Sequence, residues 1–295
     1  IASSDVSYIQ VNSHDELYSL ALSVNQMFDE IRHYTHVLEI QVAQRQKIDT
    51  ELKVARDIQE STLPREFPVF SSYKEFDIYA VMHPAKEVGG DFYDFFFVDE
   101  NHLAVVIADV SHRGVPAALF MMIAKAFIKN EFLAKRSVSE VLEVVNNQLC
   151  RNNNAGMFVT AFVGLLDINT GEFEYASAGH VPPLLKKNGE KFGFVSVGSD
   201  FVLAGAPQTT YSQSKMTLSK GDILFLYTDG VTNAFNGSFR RYSCDDLQNE
   251  LNSIENIENF DAFKIVEHID KKLDEFTSGM SKPDDITMLV LRYLK

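Results

Sequence analysis

Four acidic sites in this sequence share a pattern that could do chemistry, because each lies at one end of an apolar, strand-like run and beside a glycine or a turn. The aspartates are Asp91, Asp109, Asp229 and the adjacent pair Asp284 and Asp285. A carboxylate at the mouth of a buried strand is poorly solvated, and several at one mouth repel each other. A divalent cation such as Mg²⁺ or Mn²⁺, which prefers oxygen ligands, removes both costs. A turn or helix cap explains any single site equally well, but the four sites together favour metal binding.

Other chemistries fit the sequence less well. Cys150 is not part of a Cys-x5-Arg phosphate loop, and neither GxGxxG nor GxxxxGK[ST] occurs. His112 and Arg113 follow Asp109 closely and are candidate contacts for a phosphate or a metal-bound water, the alternative being solvated loop positions. His180 is either a base or a structural histidine at a strand end.

Composition limits the class of protein further. The chain has 295 residues, a formal net charge of −14 and 45% hydrophobic residues, including 23 Phe. The apolar content is enough for a folded core, whereas the negative charge argues against nucleic acid as a partner. Two cysteines fit a reducing compartment and cannot form a disulfide framework.

The segment before Pro64 has helical spacing. Apolar residues seven apart form a stripe at coiled-coil spacing: Leu17, Val24, Ile31 and Leu38. The stripe weakens over 41–47 and resumes at Ile48, which indicates either a stutter or a hinge between two helices. Such a stripe needs a partner, and the alternatives are the downstream domain or a parallel homodimer. The length of the stripe favours the homodimer.

Pro64 and Pro68 should stop this helix, and a different pattern follows them. Strands are predicted at Phe76–Met82, Phe92–Val98, Leu103–Val110, Phe158–Asp167, Glu172–Ser177, Leu224–Thr228 and Ile286–Tyr293. Helices are predicted at Pro116–Lys135, Val138–Arg151, Asp245–Leu251 and Phe260–Phe276. This order favours an α+β fold of largely antiparallel sheets with helices on their outer faces.

Five segments in this order resemble the PPM-type (protein phosphatase 2C-like), metal-dependent serine/threonine phosphatases. They are Gly89-Gly90-Asp91-Phe92-Tyr93-Asp94, Ala108-Asp109-Val110-Ser111 through Leu119, Ala178-Gly179-His180, Tyr227-Thr228-Asp229-Gly230-Val231 and Asp284-Asp285-Ile286-Thr287. The resemblance is to the bacterial branch of the stage II sporulation phosphatase and the stress-response regulators, and it also covers the helical lead-in Leu52–Pro64. It implies a four-layer α/β/β/α sandwich of two antiparallel sheets, preceded here by a long coiled-coil helix.

The resemblance also implies a site with two Mn²⁺ or Mg²⁺ ions. The implied metal ligands are Asp91, Asp109, the carbonyl of Val110, Asp229, Asp284 and, ranked below Asp284, Asp285. Asp109 would bridge both ions, and Asp109 and Asp229 would act in catalysis through a metal-bound water that attacks phosphorus directly. His112, Arg113 and Asn233 depart from the usual residues of the family, which bears on substrate recognition more than on metal binding.

The N-terminal part resembles the second helix of a HAMP signalling module, through Asp15-Glu16-Leu17, Leu20-Ala21 and Asn25-Gln26-Met27. The predicted organisation is a HAMP-like helix and coiled coil at 1–47, a linker or switch helix at 48–65 and a phosphatase domain at 66–295. The chain begins with Ile1 and has no apolar run long enough to cross a membrane, so we expect the cytoplasmic portion of an inner-membrane-anchored bacterial receptor.

The function predicted from this resemblance is a signal-regulated, homodimeric phosphoserine/phosphothreonine protein phosphatase. Its expected substrate, an anti-sigma-factor antagonist, comes from analogy with the branch. The alternatives are a catalytically weak pseudophosphatase acting as a dimeric scaffold, and another HAMP-linked output that uses two metal ions, such as a nucleotidyl cyclase.

Overall fold

The computed structural model describes residues 8–10, 12, 15–64, 73–151, 153–280 and 282–295. The chain divides into two compact units, Ile1–Ala55 and Arg56–Lys295. The helices are α1 (Glu16–Thr62), α2 (Val115–Leu133), α3 (Val138–Cys150), α4 (Asp229–Thr232), α5 (Cys244–Ser253) and α6 (Ala262–Thr277). The strands are β1 (Phe76–His83), β2 (Phe92–Phe97), β3 (His102–Val110), β4 (Val159–Asp167), β5 (Glu172–Ala178), β6 (Leu184–Lys186), β7 (Gly193–Phe194), β8 (Gln213–Thr217), β9 (Ile223–Tyr227) and β10 (Ile286–Tyr293).

Helix α1 has 47 residues and begins where Asp15 accepts a hydrogen bond from the Leu17 amide, 3.1 Å away. It ends just before Pro64, as predicted from the geometry of proline. The helix is continuous through 41–47, so the predicted hinge between two helices is wrong and a stutter remains. Leu17, Ile31 and Leu38 are exposed. The coiled-coil homodimer stays a prediction, as do the domain boundaries between residues 47 and 48 and between 65 and 66. The boundary at 65/66 and Pro68 fall outside the described residues.

Two five-stranded antiparallel sheets form the body of the second unit. The first has the order β1-β10-β9-β6-β7 and the second β2-β3-β4-β5-β8. The fold class predicted from the sequence, α+β with two antiparallel sheets and a long N-terminal helix, is confirmed. Each helix boundary predicted after Pro64 lies within three residues of the observed one.

Side chains of the first sheet alternate between two apolar clusters. Leu224 and Leu226 of β9 join the cluster that also contains the second sheet and helices α2 and α3. Phe225 and Tyr227, which point the other way, pack with α5 and α6. This alternation is the period of a strand buried on both faces, so the first sheet packs against the second sheet on one face and against α5 and α6 on the other.

The helix ends are set by local sequence. Ser137 and Glu140 form a capping box at α3, and Ser243 and Asp246 form another at α5. Among the described residues, no helix combines the length and the apolar character needed to cross a membrane.

Candidate active site

The sheet registers bring the predicted acidic residues to one end of the two sheets. In the second sheet Phe92 pairs with Ala108, so the start of β2 lies beside the end of β3 and Asp91 comes near Asp109. In the first sheet Met288 pairs with Tyr227, so the start of β10 lies beside the end of β9. Asp229 opens α4 directly after β9, and Asp284 precedes β10. Antiparallel pairing of four strands therefore gathers carboxylates that are far apart in the sequence.

Asp91 is the most deeply buried of these groups, with 1% of its surface exposed. Its Oδ2 accepts hydrogen bonds from the hydroxyls of Thr228, at 2.6 Å, and Thr287, at 2.7 Å. Burial and the nearby charges of Asp109 and Asp285 raise the pKa of Asp91, while the two threonine hydrogen bonds act to lower it. Thr287 lies in β10 and Thr228 directly follows β9, both in the first sheet, whereas Asp91 directly precedes β2 of the second. These bonds therefore tie the two sheets together at the site.

Asp109 and Asp229 share this electrostatic environment. Burial, followed by repulsion from Asp229 and Asp284, raises the pKa of Asp109 to about 7. Burial and repulsion from Asp284 also raise the pKa of Asp229, and a hydrogen bond from Asn233 opposes the rise. Each carboxylate is close enough to perturb the pKa of another, so acidic groups are concentrated here at a cost that positive charge would reduce.

Asp284 and Asp285 have different surroundings although they are adjacent. Arg113 donates to both oxygens of Asp284, from Nε at 2.9 Å and from Nη2 at 2.5 Å. Asp285 is buried and accepts hydrogen bonds from the amides of Ala85, at 2.7 Å, and Gly90, at 2.6 Å. Asp285 therefore fixes the loop before Asp91, while Asp284 faces the mouth of the site.

Two glycines leave room around this loop. A Cβ on Gly90 would lie 3.1 Å from the carbonyl oxygen of Val110, so glycine allows this loop to approach the end of β3 closely. A Cβ on Gly89 would lie 2.9 Å from Asp285 Oδ2. The Val110 carbonyl thus lies next to the loop that leads into Asp91, and its role as a metal ligand stays a prediction.

The donor set fits hard divalent cations in its chemistry, because it consists of buried or half-buried carboxylates and a carbonyl. Among the described residues, however, no group of three or more His, Cys, Asp or Glu side chains is arranged to hold a metal ion. Several of these carboxylates already have other hydrogen-bond partners. Asp91 Oδ2 binds two threonines, Asp284 binds Arg113, and Asp285 binds backbone amides.

The predicted histidines have separate environments. His112 is exposed and has a φ of 72°, and its Nδ1 lies 3.2 Å from Ser111 Oγ. His180 is buried between Thr160 Oγ1, 2.9 Å from Nδ1, and the carbonyl of Tyr227, 3.1 Å from Nε2. Burial lowers the pKa of His180 to about 4, so the ring is neutral at pH 7. This environment is typical of the structural alternative rather than of a base.

Sequence reasoning missed three features around the site. Thr228 directly precedes Asp229, and Thr287 follows the pair Asp284 and Asp285. Their places in these two motifs could have identified them as residues of the site. Gln59 of α1 exchanges two hydrogen bonds with the Gly89 backbone, at 2.6 and 3.0 Å. Lys125 of α2 forms a buried ion pair with Asp94 of β2, and nothing in the sequence links those two residues.

Two five-stranded sheets whose strand-end carboxylates meet at one edge are the fold of PP2C-like domains. Residues 99–294 match the family described as stage II sporulation protein E (SpoIIE). The chain therefore belongs to the SpoIIE family, in the PPM-type branch of phosphatase regulators, and the resemblance found in the sequence is confirmed.

Individual relatives agree with this assignment. The chain is 29% identical to protein IcfG of Synechocystis over 327 aligned positions, which cover 99% of this chain and 49% of that protein. It is 32% identical to phosphoserine phosphatase RsbU of Bacillus subtilis over 188 residues, which cover 64% of this chain and 55% of that one. The chain thus spans about half the length of these curated relatives.

Solved structures share the fold. The RsbU and RsbW domains of Rv1364c from Mycobacterium tuberculosis align with a TM-score of 0.64 and 26% identity, over 75% of this chain and 60% of that one. The SiaA-PP2C domain of Pseudomonas aeruginosa aligns with a TM-score of 0.74 over 85% of this chain and 99% of that domain. At 22% identity, the second comparison shows the fold alone.

Proposed function

We propose that this chain is a metal-dependent phosphatase that hydrolyses phosphoserine or phosphothreonine in a protein. The observation that carries the proposal is the gathering of Asp91, Asp109, Asp229 and Asp284 at one end of the two sheets, where the charges of the last three each raise the pKa of a neighbouring carboxyl. Such a cluster is costly without cations, and its oxygen donors suit Mn²⁺ or Mg²⁺.

The proposed ligands of two ions are the four aspartates and the Val110 carbonyl, with Asp285 as a lesser candidate. When bound, the ions would lower the pKa of a water and neutralise charge on the phosphoryl group. The chain's own residues orient the ligands: Thr228 and Thr287 hold Asp91, and Asn233 holds Asp229. Asp109 and Asp229 are the proposed catalytic residues, acting through that water.

Arg113 is the proposed phosphate contact. Its planar fork of donors matches a phosphate group as well as it matches the Asp284 carboxylate. The side chain is partly exposed at the mouth of the site, so it can exchange one partner for the other. His112 lies beside it in solvent and is the second proposed contact.

The substrate class and the setting are proposals by analogy. One relative is named a phosphoserine phosphatase, RsbU, and a structural relative contains RsbU and RsbW domains. We propose a serine-phosphorylated anti-sigma-factor antagonist as substrate. The HAMP-like helix and the homodimer through α1 would place the chain on the cytoplasmic side of a membrane-anchored receptor.

The contacts of the end of α1 support regulation by the segment 48–65. Arg56 donates to the carbonyls of Glu87, at 2.6 Å, and Lys86, at 3.0 Å, next to the Gln59 bonds with Gly89. The same loop is bound by Asp285 through the Gly90 amide. A shift of this helical segment would therefore move the loop that positions Asp91, a two-state change that could assemble or disrupt the site.

Hydrolysis of p-nitrophenyl phosphate with added Mn²⁺ tests the proposal. We expect Mn²⁺-dependent turnover that Asp109→Asn abolishes and that Asp245→Asn, which removes the same charge from an exposed position in α5, leaves intact. A lack of turnover with any divalent metal, also after removal of the residues before Leu52, would support the pseudophosphatase scaffold instead. In sedimentation, that deletion should lower dimerisation; an unchanged oligomer would refute the coiled-coil prediction.

A further inference from the structure

The short hairpin after α4 presents an exposed aromatic side chain. Phe235 and Arg241 form an antiparallel bridge that closes the hairpin 235–241. At its tip, Phe239 is 82% exposed, the highest value for a large hydrophobic side chain among the described residues. A side chain this exposed contributes almost nothing to the stability of the core, so packing does not explain it.

The backbone at the tip makes the placement of Phe239 more unusual. Its φ is 59°, in the left-handed region that disfavours residues with a Cβ, and bulky ones most. Asn or Gly at this position would remove that cost. Strain of this kind is concentrated at sites where the surrounding structure imposes it for a function.

The surrounding structure does impose the turn. Asn236 Oδ1 accepts hydrogen bonds from the amides of Ser238, at 3.0 Å, and Arg240, at 2.9 Å. The Phe239 amide donates to the Asn236 carbonyl at 2.9 Å. Arg240 binds Asp246 at 2.6 Å, and its guanidinium lies 5.4 Å from the centre of the Phe276 ring. The aromatic side chain is therefore held on a rigid support before any partner arrives.

The hairpin is joined to the proposed active site. Arg241 Nε donates to the carbonyl of Thr232 at 2.7 Å, and Thr232 is the last residue of α4, which begins at Asp229. The Arg241 charge also acts to lower the pKa of Asp229. Because the Thr232 carbonyl is uncharged, this hydrogen bond does not offset the positive charge of Arg241 next to the site.

We propose that the hairpin 235–241 is the docking element for the phosphoprotein substrate, with Phe239 as its apolar anchor. The partner would present an apolar pocket for the ring and acidic groups, including the phosphoserine, towards Arg241. Charge complementarity favours this occupant, because the hairpin carries two arginines and no acid in a chain of net charge −14. A rigid aromatic residue next to an arginine is the usual composition of a binding hot spot.

This inference rests on the proposed function and is tested separately from it. The probe is a serine-phosphorylated anti-sigma-factor antagonist, and its binding is measured by fluorescence anisotropy on the full chain in an Asp109→Asn background. Phe239→Asn, which suits the left-handed backbone and so should fold, is expected to weaken binding at least about tenfold. Phe239→Tyr should restore most of the affinity, and Phe263→Ala, at a half-exposed aromatic of α6, should change it less than about twofold.

Kinetics of the otherwise unaltered enzyme complete the test. Phe239→Asn should raise KM for the phosphoprotein about tenfold and leave hydrolysis of p-nitrophenyl phosphate within about twofold. Equal binding by the parent and Phe239→Asn, or a change in sedimentation that shows a second copy on the hairpin, would overturn the docking proposal. Binding that depends on Phe239 without hydrolysis of either ester would overturn the proposed function alone. Failure of the parent to bind the phosphoprotein, with p-nitrophenyl phosphate still hydrolysed, would overturn the docking proposal and the proposed substrate and leave the phosphatase activity standing.

Discussion

The buried ion pair between Lys125 and Asp94 allows a quantitative test of how α2 is held against the second sheet. Their side chains are 9% and 4% exposed. Burial lowers the pKa of Lys125, and the charge of Asp94 opposes that shift. Removing one partner leaves the other charge buried and unpaired, which costs about 3–5 kcal/mol, whereas removing both costs much less.

The perturbation is a double-mutant cycle of Lys125→Met and Asp94→Asn. Asn at position 94 keeps an oxygen for the Phe95 amide, which Asp94 Oδ1 accepts at 3.0 Å. We expect each single change to lower the free energy of unfolding by about 3 kcal/mol or more. The double change should lower it by only about 1 kcal/mol. The coupling energy, which is the difference between the double-mutant loss and the sum of the two single losses, should therefore be about 5 kcal/mol or more.

The assay is urea unfolding followed by circular dichroism and by tyrosine fluorescence, since the chain has no Trp. Lys215→Met is the matched control, because Lys215 pairs with Glu172 and Glu174 in solvent, where ion pairs contribute little to stability. A loss for Lys125→Met no larger than that of the control, or a coupling energy near zero, would refute the reasoning.

Three further predictions concern the site and its loops. His112→Gly should raise the free energy of unfolding by about 0.5–1 kcal/mol relative to His112→Ala in urea, because only Gly relieves the φ of 72°; equal stability would contradict this. Gly230→Ala should lower the thermal midpoint and impair activity, because its Cβ would lie 1.8 Å from the Asp285 carbonyl oxygen, whereas Gly237→Ala, with nothing within 4 Å, should be tolerated. The pKa of His180 is about 4 in the folded chain and 6.5 when the ring is exposed, so between pH 6.5 and 4 unfolding takes up a proton at His180. The contribution of the neutral buried ring to stability is therefore complete above pH 6.5 and is lost as the pH falls towards 4. Urea unfolding at pH 7.5 and 5 should show a loss of about 2 kcal/mol in the parent that His180→Gln lacks; parallel losses in both would contradict the neutral buried ring.

The strands and helices after Pro64 could be predicted because their patterns are local. The apolar run Ile286–Tyr293 is bounded by Pro283 and two aspartates, and its predicted limits are the limits of β10. The end of α1 follows in the same way from the missing amide of Pro64. Periodicity and turn residues are properties of a short segment, so the sequence contains them.

Contacts between distant segments could not be predicted in this way. Thr287 and Asp91 are 196 positions apart, and their bond depends on the pairing of β10 and β9 and on the stacking of both sheets. The Lys125–Asp94 pair and the Arg113–Asp284 pair are similar cases, since no local pattern marks two charges as partners. The motifs therefore named the acidic residues of the site but not the groups that orient them.

Calorimetric titration of the full chain with Mn²⁺ tests the central claim most directly, because it measures whether the gathered carboxylates bind metal. We expect two ions per chain in the parent and in the exposed control Asp245→Asn, and the loss of at least one ion in Asp109→Asn. Binding of Mn²⁺ by Asp109→Asn that equals binding by Asp245→Asn would contradict the claim that these aspartates form a metal centre.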